Sequence, residues 1–144
     1  IEKQLSVKSV RYSHCSEKTD FEGEGFQVLI VDNIGLLSSI YQYADYVYIG
    51  GGFGAGIHNT MEAAVFGVPI FFGSNYGKFQ EAIDLIERGG AYSIEGLEDL
   101  VLKAKRLEEN NAFYEQASKV SREYVLKHKG GSELILKVLE EYLV

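Results

Sequence analysis

Apolar residues follow two patterns along this chain: short continuous runs come first, and helical stripes come last. A continuous run bounded by turn residues is typical of a strand, above all one that is buried on both faces. The runs predict five strands, at Val7 to Tyr12, Val28 to Val31, Tyr46 to Ile49, Ile70 to Phe72 and Ala91 to Ile94.

Helical spacing or capping residues separate these strands. They predict helices over Ile34 to Tyr43, Thr60 to Phe66 and Phe79 to Ile86, and the chain from Leu97 onward is helical only. Alternation of strands and helices predicts an α/β fold. We therefore expect a Rossmann-like, mostly parallel sheet with helices on both faces, followed by C-terminal helices.

Ligands of such open sheets bind beyond the carboxyl ends of the strands. Three strands of this chain end in glycine or other turn residues, at Asp32-Asn33, Gly50 to Gly56 and Gly73 to Tyr76. The pattern therefore predicts one crevice with three walls.

Composition narrows the class of protein. The chain has 144 residues, is 46% hydrophobic, has a formal net charge of −7 and contains one cysteine. A disulfide framework is therefore excluded, and scattered Lys and Arg residues argue against a nucleic-acid partner. No stretch reaches the roughly 18 apolar residues of a membrane span.

The start of the chain bears on its completeness. The only methionine is Met61 and the first residue is Ile1. We therefore expect a processed chain or, in preference, a piece of a longer protein.

The strongest chemical signal is the glycine loop, which has five glycines in the seven residues from Gly50 to Gly56 and leads into a predicted helix. Glycine lets a backbone approach a ligand closely, and a helix N-terminus attracts phosphate. The structural alternative is a tight strand-to-helix crossing, which needs fewer glycines.

Three polar residues follow the loop, and each has two interpretations. His58 either donates to a phosphate or sugar oxygen or bonds to backbone. Asn59 and Glu62 have the spacing of a capping box, in which Asn59 caps the helix. The alternative for Asn59, which the sequence favours less, is a direct contact with the ligand. The Glu62 carboxylate is also suited to accept hydrogen bonds from ribose hydroxyls.

The other two walls are less specific. Backbone groups from Asp32 to Gly35 are suited to a base edge, but the same residues are typical of an ordinary strand-end turn. On the third wall, the cation of Lys78 stands near a helix start, where an anion would offset it, and Asn75 and Gln80 lie beside it. The alternative, which is slightly favoured, is that Lys78 is a solvated surface lysine.

The sequence lacks the motifs of several common metal-binding and catalytic sites. The single cysteine and three dispersed histidines form no metal-binding motif, and no Asp-x-Asp pair, Walker loop or G-x-S-x-G elbow is present. Gly50-x-Gly52-x-x-Ala55 fits a loose dinucleotide fingerprint. The acidic residue expected after the next strand is absent, which disfavours a nicotinamide cofactor.

With these motifs in view, the chain resembles the carboxyl-terminal domain of the bacterial 3-deoxy-D-manno-octulosonic acid (Kdo) transferases. The matching motifs are Asp32 to Leu37, Gly50 to Gly52, Gly56 to Glu62 and Gly73 to Phe79. The sequence departs from the family pattern at Leu36, Ile57, Ser74 and Lys78.

The resemblance implies the donor-binding half of a GT-B glycosyltransferase, with residues 1–144 forming a single nucleotide-sugar-binding domain that is truncated at its N-terminus. Such an enzyme transfers Kdo from CMP-Kdo to a lipid A precursor with inversion, without metal or other cofactor, at the cytoplasmic face of the inner membrane. It further implies an N-terminal acceptor domain that carries the acidic catalytic residue, so we expect no catalytic residue in this chain and no activity from it alone.

The resemblance and the motifs together define a set of expected donor-binding residues. These are Asp32, Ile34, Gly35, Gly51, Gly52, Gly56, His58, Asn59, Glu62, Asn75 and Lys78. Other interpretations remain open at this point, namely a GT-B domain for a UDP-sugar donor or a non-catalytic nucleotide-binding domain.

Overall fold

The computed structural model describes residues 5–142, apart from the side chains of Leu134 and Glu141. Residues 1–4 and 143–144, the ends of the predicted domain, lie outside the described residues. Contacts along the chain define two compact units, Ile1–Ile40 and Tyr41–Val144.

The first unit is built around two short parallel strands, β1 (Ser9–Arg11) and β2 (Val28–Ile30). The helix predicted from Ile34 begins later and is shorter: α1 spans Leu37–Ile40, and a 3-10 turn follows it. Gly35 explains the late start, because its φ of 95° is a left-handed conformation that no helix contains.

Burial of β2 differs from the sequence prediction. Its apolar run predicted a strand covered on both faces, but Leu29, in the middle of β2, is 46% exposed. An apolar run identifies a strand, whereas its burial depends on which segments pack over each face.

The second unit contains a three-stranded parallel sheet in the order β3-β4-β5. The α/β class, the parallel strands and the C-terminal helices are thus confirmed, with the described strands divided between two sheets. Its elements are β3 (Val47–Tyr48), α2 (Met61–Ala64), β4 (Ile70–Gly73), α3 (Gln80–Arg88), β5 (Ala91–Ile94), α4 (Leu97–Glu109), α5 (Asn111–His128) and α6 (Gly131–Tyr142).

β4 is the centre of the core, because side chains of adjacent residues on a strand point to opposite faces. Ile70 and Phe72 pack with Ala82 and Leu85 of α3, whereas Phe71 packs with Leu107 of α4 on the other face. All four residues of β4 are buried. The predicted covering of the sheet by helices on both faces is confirmed for this unit.

Helix α5 packs against the amino ends of β4 and β5. The Ser121 hydroxyl donates to the carbonyl of Gly90, just before β5, at 3.0 Å. A Cβ added to Gly67, just before β4, would lie 3.1 Å from the carbonyl oxygen of Ser118. The glycine loop follows β3 at the opposite, carboxyl end of the strands, so the candidate site lies at that end of the sheet.

The described part of α6 carries an exposed apolar set: Ile135, Leu136, Val138, Leu139 and Tyr142. Among the described residues, no helix combines the length and the apolar character that crossing a lipid bilayer requires.

Candidate functional site

The glycine loop turns back on itself before it reaches α2. The His58 N–H donates to the carbonyl of Gly50 at 3.3 Å, and Gly51 and Ile57 form an isolated antiparallel bridge. At the tip, the Gly52 N–H donates to the carbonyl of Ala55 at 3.2 Å. The loop is therefore a small closed turn whose two ends lie side by side where β3 ends.

Most of the glycines in this loop are required by contacts within the protein. A Cβ on Gly52 would lie 2.6 Å from the carbonyl oxygen of Gly73, one on Gly51 would lie 2.5 Å from that of Gly56, and one on Gly56 would lie 2.5 Å from the ring of Phe79. No such approach occurs at Gly50 or Gly54. The number of glycines, which the sequence analysis attributed to a ligand, is therefore explained largely by packing.

Asn75 binds this loop from the end of β4. Its N–H donates to the carbonyl of Gly52 at 2.8 Å, and its side-chain Nδ2 donates to the carbonyl of Gly54 at 2.7 Å. Phe53, between these two acceptors, is 56% exposed. The structure thus brings together the second and third predicted walls, and it places Asn75 as a support of the loop.

The start of α2 shows how Asn59 and Glu62 interact. The Asn59 Oδ1 accepts from the Met61 N–H at 2.9 Å, and its Nδ2 donates to Oε1 of Glu62, also at 2.9 Å. Asn59 thus satisfies the first N–H of α2, but the N-cap residue is Thr60, whose side chain makes no capping bond, so the predicted cap is one residue early. Glu62 bonds to the Asn59 side chain where a capping box would use a backbone N–H. Both side chains are exposed, as is His58.

The helix that the loop leads into is shorter than the predicted Thr60 to Phe66, because α2 has four residues. A helix dipole grows by summing aligned peptide units. One turn supplies little of it, and Asn59 already occupies the Met61 N–H. The predicted phosphate attraction by a helix N-terminus is therefore weaker than the sequence indicated.

Tyr41 is a neighbour of Glu62 that the sequence analysis did not single out. Burial raises the pKa of the Tyr41 phenol, and the negative charge of Glu62 raises it further. Tyr41 packs against the same core cluster as the start of α2. An aromatic residue in a predicted helix carries no signal of this kind, so only the folded structure relates Tyr41 to Glu62.

Lys78 lies in the turn before α3 and is exposed. The position agrees with the predicted location near a helix start. Within residues 5–142, no group of three or more His, Cys, Asp or Glu side chains is arranged to hold a metal ion.

Asp32 belongs to the first unit, where it connects the ends of β1 and β2. Its Oδ1 accepts from the Ser13 N–H at 3.0 Å, its Oδ2 accepts from the Ser13 hydroxyl at 2.7 Å, and Arg11 Nη1 lies 3.5 Å from Oδ2. The Ser13 hydrogen bonds lower the pKa of Asp32. These contacts favour the strand-end interpretation of Asp32.

Ile34 is fully exposed, and a Cβ at Gly35 would meet nothing within 4 Å. Because these two residues and Asp32 lie in a different unit from the glycine loop, the three-walled crevice and their contacts with a donor stay predictions.

Known proteins were compared with the chain by sequence and by fold. No protein-family model matches it. It is 28% identical over 142 residues to the 3-deoxy-D-manno-octulosonic acid transferase of Bordetella pertussis, which covers 97% of the chain and 33% of that relative. It is 35% identical over 118 residues to the enzyme of the same name from Rickettsia typhi, covering 81% of the chain and 24% of the relative. The chain thus spans about a quarter to a third of the length of the curated relatives it matches.

A solved structure shares the fold. The crystal structure of the C-terminal CMP-Kdo binding domain of WaaA from Acinetobacter baumannii matches with a TM-score of 0.70 and 21% sequence identity, over 85% of this chain and 63% of that one. The chain is therefore related by sequence to the Kdo transferases, and it has the fold of the WaaA C-terminal domain.

Proposed function

We propose that the chain is the donor-binding part of a glycosyltransferase that transfers Kdo from CMP-Kdo to a lipid A precursor. The observation that carries this proposal is the sequence match to Kdo transferases over 97% of the chain. The fold that the chain shares with a CMP-Kdo binding domain agrees with this proposal.

Exposed polar groups at the carboxyl ends of β3 and β4 supply the chemistry for a nucleotide. Oε1 of Glu62 accepts a hydrogen bond from the Asn59 side chain, so we assign the other carboxylate oxygen, Oε2, to the ribose hydroxyls. His58 and Lys78 are assigned to the phosphate, because the single turn of α2 contributes little charge of its own.

The reaction itself needs groups beyond this chain. An acceptor hydroxyl attacks the anomeric carbon of Kdo from the face opposite CMP, the bond to the phosphate oxygen breaks, and CMP leaves with the electron pair. The hydroxyl proton passes to a carboxylate that we place in a separate N-terminal domain, which the greater length of the relatives allows for. His58 and Lys78 stabilise the phosphate of the donor, and the reaction uses no metal or cofactor. The full-length protein acts at the cytoplasmic face of the inner membrane.

An amide NMR titration of the 144-residue chain with CMP, UMP and NAD in parallel tests the donor. We expect CMP to shift amides from Gly50 to Glu62 and from Asn75 to Phe79. A larger response to UMP would indicate a UDP-sugar donor, and a larger response to NAD would indicate a nicotinamide cofactor. Absence of any response would contradict nucleotide binding by this chain.

Two glutamate variants sharpen the test. Glu62→Gln retains the side-chain length but replaces one carboxylate oxygen by an NH₂ group, so we expect weaker CMP binding. Glu87→Gln changes an exposed acid on α3 by the same chemistry and should leave CMP binding unchanged. Equal effects of the two variants would show that only net charge matters, against the assignment of Glu62.

A further inference from the structure

We propose that Asn75 is a positioning residue that holds the turn from Gly52 to Ala55, so that Phe53 is presented to a ring of the bound nucleotide. This inference rests on the proposed function and deepens it. It reassigns Asn75 from a donor contact to a support of the loop.

Two hydrogen bonds from Asn75 enclose Phe53. The backbone N–H of Asn75 donates to the Gly52 carbonyl at 2.8 Å, and the side-chain Nδ2 donates to the Gly54 carbonyl at 2.7 Å. The acceptors are the residues immediately before and after Phe53. One residue at the end of β4 thus restrains both flanks of the exposed aromatic side chain.

Gly52 and Gly54, the residues on either side of Phe53, differ in the other contacts that restrain them. Gly52 is fixed by the close approach of the Gly73 backbone, where an added Cβ would be 2.6 Å from the carbonyl oxygen. Gly54 has open space on its Cβ side, with nothing within 4 Å. The Asn75 side chain therefore restrains the flank that packing leaves unsupported.

The exposure of Phe53 is the reason to connect this support with a ligand. Phe53 is 56% exposed at the tip of a turn that backbone hydrogen bonds close. The turn stands at the carboxyl ends of parallel strands, where ligands of open α/β sheets bind. An aromatic ring stacks on the flat face of a base or packs on a sugar ring, and a pre-ordered ring loses less entropy when it does so.

The test is a double-variant cycle on the 144-residue chain with CMP as the probe. Asn75→Ala removes only the side-chain hydrogen bond, and Phe53→Ala removes the ring. We expect each single variant to weaken CMP binding, Asn75→Ala by about fivefold, the equivalent of one hydrogen bond. The double variant should bind no more weakly than Phe53→Ala, because Asn75 acts through Phe53.

Additive losses in the double variant would overturn the inference, since they would mean that Asn75 contacts the nucleotide itself. Asn75→Gln retains an amide donor and should recover part of the affinity that Asn75→Ala loses. Asn110→Ala is the matched control: it removes an asparagine hydrogen bond of 3.1 Å to the Phe113 N–H at the start of α5. It should lower stability and leave CMP binding unchanged.

Backbone ¹⁵N relaxation without nucleotide separates this inference from the proposed function. Asn75→Ala should increase the motion of the amides from Phe53 to Ala55 and of no other segment. Unchanged order in this turn would overturn the positioning role, whatever CMP does. If the unmodified chain did not bind CMP while the turn did loosen, the proposed function would fail and the support of Phe53 by Asn75 would stand.

Discussion

Gly52 and Gly73 touch backbone to backbone where β3 and β4 end. A Cβ on Gly52 would lie 2.6 Å from the carbonyl oxygen of Gly73, and a Cβ on Gly73 would lie 2.5 Å from the carbonyl carbon of Gly52. Real Cβ atoms do not approach other atoms this closely. The contact fixes the glycine loop to the carboxyl ends of the strands, where we place the nucleotide.

Gly52→Ala should therefore destabilise the protein. Gly52 has a φ of 82°, a conformation that side chains rarely adopt, and the new methyl group would clash with backbone that has no room to move. We expect a loss of at least about 2 kcal/mol in the free energy of unfolding. Urea denaturation measures it, and Gly54→Ala is the control, because open space surrounds Gly54. Equal stability of the two variants would contradict this packing.

Thr60→Val should leave the protein as stable or make it more stable. Thr60 is fully buried, and within the described part of the chain its hydroxyl has no hydrogen-bond partner. Removal of a buried hydroxyl without a partner relieves a desolvation cost of about 1 kcal/mol or more. Thr60→Ser keeps the hydroxyl and loses the methyl group, so it should be less stable. Thermal unfolding of both variants decides, and a clearly destabilised Thr60→Val would mean that the hydroxyl is satisfied.

Alkaline pH should loosen the contact between α5 and α3. Burial, and then the 2.9 Å hydrogen bond to Asp84, raise the pKa of Tyr124 to about 12. A folded-state pKa above the unfolded value of about 10 stabilises the fold below pH 10, and this contribution is lost as the pH rises from 10 through 12. The expected loss is about 1 kcal/mol per pH unit. Unfolding free energies compared across this range should fall less steeply in Tyr124→Phe than in the unmodified chain, because other tyrosines with raised pKa values, such as Tyr41, contribute equally to both.

Asp84 should make the stability of the fold depend on pH in the acid range. Hydrogen bonds from Gln80 and then from Tyr124 lower its pKa, so its contribution is present above its unfolded pKa and is lost as the pH falls through the lowered folded-state value. Tyr124→Phe should move the pKa of Asp84 upward. Carboxyl-detected NMR titration measures the shift, and an unchanged pKa would contradict the hydrogen bond.

Ser13→Ala should raise the pKa of Asp32 toward its ordinary value. The Ser13 hydroxyl and N–H are the two largest causes of the lowered pKa, and the substitution removes the hydroxyl. NMR titration of Asp32 checks this shift. If Asp32 serves mainly to connect β1 and β2, amides near Ile30 should also shift in Ser13→Ala. A response confined to Ser13 itself would argue against that role.

Local patterns were sufficient to identify most elements. The strand predicted at Ala91 to Ile94 is β5, and the helix predicted over Phe79 to Ile86 is α3, which ends at the left-handed Gly89 with a φ of 83°. These features depend on residues adjacent in sequence, whose conformational preferences act wherever the segment is placed. The motifs from Gly56 to Glu62 likewise indicated the resemblance to the Kdo transferases before any contact was known.

Other features required the folded chain. The left-handed Gly35 shortened a helix that spacing alone predicted, and the exposure of Leu29 was hidden in an apolar run. The glycines of the loop indicated that the backbone there closely approaches either a ligand or another part of the protein. For Gly52 the neighbour is the backbone of Gly73, which lies on another strand and far away in the sequence. Sequence pattern records the need for a small residue, whereas only the packing of distant segments decides whether protein or ligand fills the space, because that choice depends on contacts between residues that no local preference connects.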